Sequence, residues 1–201
     1  MTNLATPIME TTPQEKQSDW GQGKSIAGLW NNGWSVLRAQ YFLRQATLEG
    51  PRVRVWGRAA VRNDGTMIIG DRVQIVSTIT PTELVTMGNG RLTIGERTYI
   101  NYGCSFAAME SVTIGAHCHI GTYVIIMDNQ FHRLEPERRL EIPESQPIVI
   151  EDNVWLGARV IVMPGVTIGA GSAVGAGSIV TRDIPPRSVA VGTPAKVIRE
   201  L

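Results

Sequence analysis

Along the second half of the chain, aliphatic residues recur at every sixth position. From Ile150 the sequence divides into IEDNVW, LGARVI, VMPGVT, IGAGSA, VGAGSI and VTRDIP, led by Ile150, Leu156, Val162, Ile168, Val174 and Val180. Glycine takes the second place at Gly157, Gly169 and Gly175, and valine the fifth at Val154, Val160 and Val166. The same beat runs upstream in pieces. Ile69-Gly70 leads to Ile75, Ile94-Gly95 to Ile100 and Phe106, and Ile114-Gly115 to Ile120-Gly121 and Ile126. The phase slips by two between Phe106 and Ile114, and residues 76–93 are irregular.

A period of six fits neither the 3.6 of a helix nor the 2 of a strand. It fits a short strand followed by a corner, with one aliphatic side chain pointing inward per face and glycine easing the corner. Stacked coils then bury a continuous aliphatic column. Three such faces close a triangular prism. The pattern predicts an all-β solenoid, a parallel β-helix of hexapeptide repeats over residues 51–184, with a helical extension before it.

Two segments break the beat. Residues 24–46 read as a helix, with Ile26, Trp30, Trp34 or Leu37, and Tyr41 at helical spacing and Lys24, Arg38 and Arg44 among them. This segment either caps the first coil, as solenoid ends require, or lies on a membrane surface; the cap is the preferred reading. Residues 127–146 carry Pro136, Pro143 and many charges, and predict a loop that leaves the prism and reaches a neighbouring subunit. Residues 1–23 are polar and expected to be mobile, so residues 1–50 form an extension. Residues 185–201 are expected to pack back on the prism.

Composition narrows the function. The formal net charge of +1 gives no electrostatic case for nucleic acid. Charged residues make up 18% and glycine 21 of 201 residues, which suits tight turns. Cys104 and Cys118 show no metal-finger spacing and read as reduced core residues. The N-terminus lacks a basic and an apolar region, and no apolar run approaches a membrane span. The expected location is the cytoplasm, with the membrane surface as the option raised by residues 24–46.

The run PIVIEDNVWLGARVIVMPGVTIGAGSAVGAGSIVTRDIPPRSVAVGTPAKVIREL, from Pro147 to Leu201, resembles the C-terminal half of the hexapeptide-repeat acetyltransferases. These include galactoside, maltose and exopolysaccharide O-acetyltransferases. The resemblance spans roughly residues 51–201. It implies a left-handed parallel β-helix, a homotrimer, and acetyl-CoA bound between neighbouring prisms as co-substrate, with no metal required.

Acetyl transfer to a hydroxyl needs a general base, and a neutral imidazole serves near neutral pH. The histidines are His117, His119 and His132. In the family the base opens the protruding loop, and His132, seventeen residues after Gly115, occupies that place. Asp128 is placed with the substrate-binding residues, where it either orients this imidazole or forms a turn. Asn101 matches an acceptor-binding asparagine of the family, or else serves a prism corner. Trp155 matches a tryptophan near the active cleft. His117 and His119 read as surface or subunit-facing residues.

The resemblance places the pantetheine arm along Ala158 and Ala176, the nucleotide end beyond Thr181 and Arg182, and the phosphates near Lys196 and Arg199. Ala158 stands where serine is frequent, and Arg182 where lysine is common. Neither cysteine sits in a nucleophile pattern, so direct transfer in a ternary complex is expected. The leading acceptor is a saccharide hydroxyl of a polysaccharide or glycolipid precursor. N-acetylation of an amino sugar, a non-catalytic prism scaffold, and a metal enzyme like the gamma carbonic anhydrases are the rivals. The last expects a histidine pair five apart with a third far upstream, whereas this chain has a pair two apart and one downstream.

Overall fold

The computed structural model describes residues 26–201. The expectations for residues 1–23, for Lys24, and for the side chains of Ile26 and Trp30 lie outside the described residues. One helix, Ile26–Phe42, precedes a left-handed β-helix of parallel strands.

Three columns of inward side chains define the prism. The first face stacks Leu48, Ile69, Ile94, Ile114, Ile150 and Ile168 in register, with Ile184 bridged to Ile168. The second stacks Val55, Ile75, Ile100, Ile120, Leu156, Val174 and Ala190. The third stacks Val61, Leu84, Phe106, Ile126, Val162 and Val180. Apart from Leu48 and Val61, which are half-buried, every member of these columns is buried. Each fully buried Val, Leu or Ile contributes roughly 1.5–3 kcal/mol, so the columns are the main source of stability.

The breaks in the six-residue beat have one main location. The long spacings from Leu84 to Ile94, Phe106 to Ile114 and Ile126 to Ile150 all fall at the corner leading from the third face back to the first. Extra residues therefore accumulate along one prism edge. The irregular stretch 76–93 is largely the strand Gln74–Thr86, which bends from the second face to the third within a single element.

Coils stack so closely that a side chain at some corners would strike backbone. A Cβ on Gly157 would lie 2.6 Å from the amide nitrogen of Ala176, and one on Gly121 equally close to that of Ala158. At the turn residue beyond, Tyr123 and Arg159 hold left-handed φ of 57° and 60°.

The helix packs against the strand Arg54–Asn63 at the open end of the prism. Its inward residues are Ser35 and Ala39, with Leu43 buried just past its end, while Trp34, Leu37 and Tyr41 are exposed. The large apolar residues that suggested the buried stripe thus face outward. Small side chains let the helix approach the first coil closely. At the other end, Ser188–Gly192 joins the second face, and Ala195–Glu200 pairs with it antiparallel as an edge strand. Among the described residues no helix is long and apolar enough to cross a membrane.

Candidate active site

The strand Ile125–Met127 ends the third face, and the chain leaves the prism until Ile148. Backbone bonds close the neck of this loop: Gln146 N–H donates to the Asp128 carbonyl at 2.9 Å and Gly165 N–H to the Gln146 carbonyl at 3.0 Å. Asp128 is 1% exposed. Its carboxylate accepts the backbone N–H groups of Met109, Glu110 and Ser111 at 2.9, 2.8 and 2.7 Å. The expectation that Asp128 orients the imidazole or meets substrate gives way here, because its oxygens are committed to the corner of the preceding coil.

His132 stands exposed on the loop with Nδ1 2.8 Å from the carbonyl oxygen of Arg139. A carbonyl oxygen only accepts, so in the neutral ring Nδ1 carries the proton and Nε2 keeps a lone pair. Arg139 is itself held by its Nη2, which donates to the Leu134 carbonyl at 3.1 Å. Beside it, Arg138 donates to both oxygens of Glu141 at 2.7 to 3.1 Å, and Arg133 forms an ion pair with Glu141 at 3.2 Å. The hydrogen-bonded Arg138 guanidinium, with Arg133 beyond it, holds the Glu141 carboxyl below its usual range.

Sequence reasoning passed over Asn129. This buried residue accepts the N–H of Phe131 through Oδ1 at 2.6 Å and donates through Nδ2 to the Pro143 carbonyl and to Ser145 Oγ at 2.8 and 2.9 Å. It ties the start of the loop to its end, one residue pair before His132. The available signal was an Asn two positions ahead of a residue in a turn.

A pocket of about 230 Å³ opens beside His132, with Gln130, Glu135, Glu144, Gln146 and Pro164 in its wall. None of Asn101, Trp155, Ala158 and Ala176 lines it. Those residues sit beyond the third face. Asn101 occupies the corner after the second face, where its Oδ1 accepts Tyr102 N–H at 2.9 Å in a turn role. Trp155 points outward from the second face, 60% exposed, beside His119 and Tyr99 in register. The Tyr99 and His119 rings lie 6.4 Å apart, and His117 is exposed at a corner with φ of 57°.

Ala158 and Ala176 stack at the corner between the second and third faces, where Gly177 N–H donates to the Ala158 carbonyl at 2.8 Å. At the preceding corner the matching N–H groups are capped, that of Ala116 by Asp152 and that of Ala170 by Glu151. Among the described residues, the N–H groups of Ala158 and Ala176 meet no protein acceptor. Thr181 and Arg182 follow the last strand of the third face and are exposed. Lys196 and Arg199 lie on the edge strand opposite Val191 and Val189. Among the described residues, none of these three cations forms an ion pair.

Burial pushes the Cys104 thiol up to about 11 and raises that of Cys118 as well, which makes both poor nucleophiles. Among the described residues, no group of three His, Cys, Asp or Glu side chains converges as a metal-ligand set.

Residues 147–182 match the family model described as bacterial transferase hexapeptide (six repeats). A galactoside O-acetyltransferase from Escherichia coli is 43% identical over 108 residues, which is 54% of this chain and 53% of that protein. The chain spans about half the length of the curated relatives it matches. A hexapeptide-repeat containing acetyltransferase from Vibrio cholerae is 34% identical with a TM-score of 0.56, over 73% of this chain and 74% of that one. Its complex with acetyl coenzyme A aligns at 38% identity and a TM-score of 0.55, over 60% of this chain and 65% of that one. With the six-residue beat, the stacked prism and these matches together, the chain belongs to the hexapeptide-repeat acetyltransferase family.

Proposed function

We propose that this chain transfers acetyl from acetyl-CoA to a hydroxyl of a saccharide, with His132 as general base. The observation that carries the reading is the hydrogen bond between His132 Nδ1 and the Arg139 carbonyl. It leaves Nε2 as the acceptor on an exposed ring at the mouth of a pocket. As the acceptor oxygen attacks the thioester carbonyl, Nε2 takes the hydroxyl proton. The carbon–sulfur bond breaks and the proton passes to the departing thiolate. Both thiols of the chain are buried, which favours direct attack over an acyl-enzyme.

Acetyl-CoA as donor is supported by the Vibrio cholerae complex and by two features of this chain. The N–H groups of Ala158 and Ala176 are free to meet amide carbonyls of a pantetheine arm. Lys196, Arg199 and Arg182, which form no ion pair among the described residues, offer positive charge for phosphates, with Thr181 beside Arg182. A saccharide acceptor is supported by the Escherichia coli galactoside enzyme and by the aromatic strip of exposed His119 and Trp155 with half-buried Tyr99. Asn101, with its amide nitrogen free beside this strip, is a further acceptor contact.

A homotrimer completes the site. The His132 pocket and the Ala158–Ala176 corner lie on opposite edges of the third face within one chain. The outward residues of that face include Ile125, Ile161 and Ile179 in register, and the loop exposes Leu134, Leu140 and Ile142. Association of prisms would cover both surfaces and bring one chain's His132 toward a neighbour's corner.

The test is incubation of the protein with acetyl-CoA and a panel of sugars, amino sugars and oligosaccharides, followed by identification of the acetylated product. An O-acetylated saccharide supports the reading. A product acetylated only on nitrogen contradicts the hydroxyl acceptor. Failure to bind acetyl-CoA at all would leave a scaffold.

A further inference from the structure

From Asn32 onward the N-terminal helix has two distinct faces. Ser35, Ala39 and Leu43 are buried against the prism, with Phe42 and Ala46 packed beside them. On the opposite side Trp34, Leu37 and Tyr41 are 57%, 54% and 65% exposed. Positions 34, 37, 38 and 41 follow the i, i+3, i+4, i+7 spacing of one helical stripe, and Arg44 lies in the turn just past the end of the helix at Phe42. Within the helix the buried residues, Ser35 and Ala39, are small, Phe42 and Leu43 pack at its end, and the large side chains of Trp34, Leu37 and Tyr41 are left outside.

The stripe is also basic. Arg38 is exposed within it, and Arg44 is exposed beside it in the turn that follows the helix. Arg44 lies 5.2 Å from the centre of the Tyr41 ring and donates Nη1 to the Tyr41 carbonyl at 3.0 Å. Residues 26–48 contain no Asp or Glu. Among the described residues, neither Arg38 nor Arg44 forms an ion pair.

Two occupants fit an apolar, cationic helix face. A second copy of the chain fits poorly. An isologous contact would set Arg38 and Arg44 against their own counterparts. Three side chains of this size expose roughly 400 Å², on the scale of 150–250 Å² per aromatic residue, against about 800 Å² per partner in a stable interface. An anionic lipid surface fits on both counts. Aromatic rings settle at the headgroup level, and arginines beside them meet negative headgroups.

We propose that Trp34, Leu37 and Tyr41, flanked by Arg38 and Arg44, dock the protein onto an anionic membrane surface with the helix in the interfacial plane. The docking does not depend on the identity of the acceptor. It sets the open end of the prism toward the lipid.

The experiment is flotation of the full chain with vesicles of phosphatidylcholine alone and of phosphatidylcholine mixed equally with phosphatidylglycerol. Wild type is expected to float with the mixed vesicles and to bind neutral ones at least about tenfold more weakly. The triple variant W34A/L37A/Y41A should lose binding to both, with unchanged thermal unfolding because its sites face solvent. R38Q/R44Q should lose the preference for anionic vesicles while keeping weak binding. Wild type that ignores anionic vesicles overturns the proposal. So does equal flotation of wild type and triple variant. A triple variant that changes the elution size, with no vesicle binding by wild type, assigns the stripe to a second copy instead.

Discussion

Phe131 holds a left-handed backbone, with φ of 61°, while the side chain of Asn129 accepts its N–H at 2.6 Å. A bulky residue in that region is strained, and the bond offsets the strain. The next residue is His132. Asn129→Ala removes this bond and the two that tie Asn129 to Pro143 and Ser145. It should lower kcat by at least about tenfold through misplacement of the imidazole, leave KM for acetyl-CoA unchanged, and cost about 2 kcal/mol of stability. Steady-state kinetics with denaturant unfolding checks this.

Glu141 fixes the segment that supplies the Arg139 carbonyl. Its folded-state pKa is lowered by the hydrogen bond from Arg138 and by the charge of Arg133. A depressed carboxyl contributes stability above its unfolded value, and that contribution fades as pH falls through the lowered folded value. Glu141→Gln should therefore melt below wild type at pH 7, and the difference should shrink toward zero on acidification below the ordinary value of 4.5. A few-fold loss of kcat at neutral pH is expected alongside, since the pair is exposed and the effect is on loop order. Thermal melts of both proteins across the acidic range measure it.

Asp128 acts on the fold. Asp128→Ala strands three buried-side N–H donors at Met109, Glu110 and Ser111. It should cost about 3 kcal/mol, in line with charge-assisted hydrogen bonds of 1.5–3 kcal/mol each and partial rescue by water. KM for the acceptor should stay unchanged in the folded fraction. A rise in acceptor KM without loss of stability would return Asp128 to the substrate site.

Lys196 and Arg182 test the donor site by charge. Lys196→Ala and Arg182→Ala should each raise KM for acetyl-CoA about ten- to a hundredfold, as loss of a charge-assisted contact of roughly 1.5–3 kcal/mol implies. Acetyl-pantetheine, which lacks the nucleotide phosphates, should show no such change. Equal effects on both donors would remove these cations from phosphate binding.

Much of this structure is legible in the sequence. Each in-phase aliphatic from Ile150 to Val180 lies in an inward column, because a period of six admits one inward side chain per face. The slip between Phe106 and Ile114 marks a widened corner at Met109 and Glu110. The buried side of the helix was not legible. Ser35 and Ala39 carry little hydrophobic signal, and their inward placement depends on how close the helix must approach the first coil. The roles of Asp128 and Asn129 were hidden for another reason. The partners of Asp128 are backbone N–H groups seventeen to nineteen residues upstream, and two of the partners of Asn129 are the Pro143 carbonyl and the Ser145 hydroxyl, fourteen and sixteen residues downstream. No local pattern encodes bonds across coils.

The most direct measurement is thiol release from acetyl-CoA in the presence of an acceptor, by wild type and by His132→Ala side by side. Acceptor-dependent release is expected to fall by roughly a hundred- to ten-thousand-fold in the variant, the range of a lost general base, with acetyl-CoA binding retained. Equal release by the two proteins would contradict His132 as the base and with it the proposed chemistry of the loop.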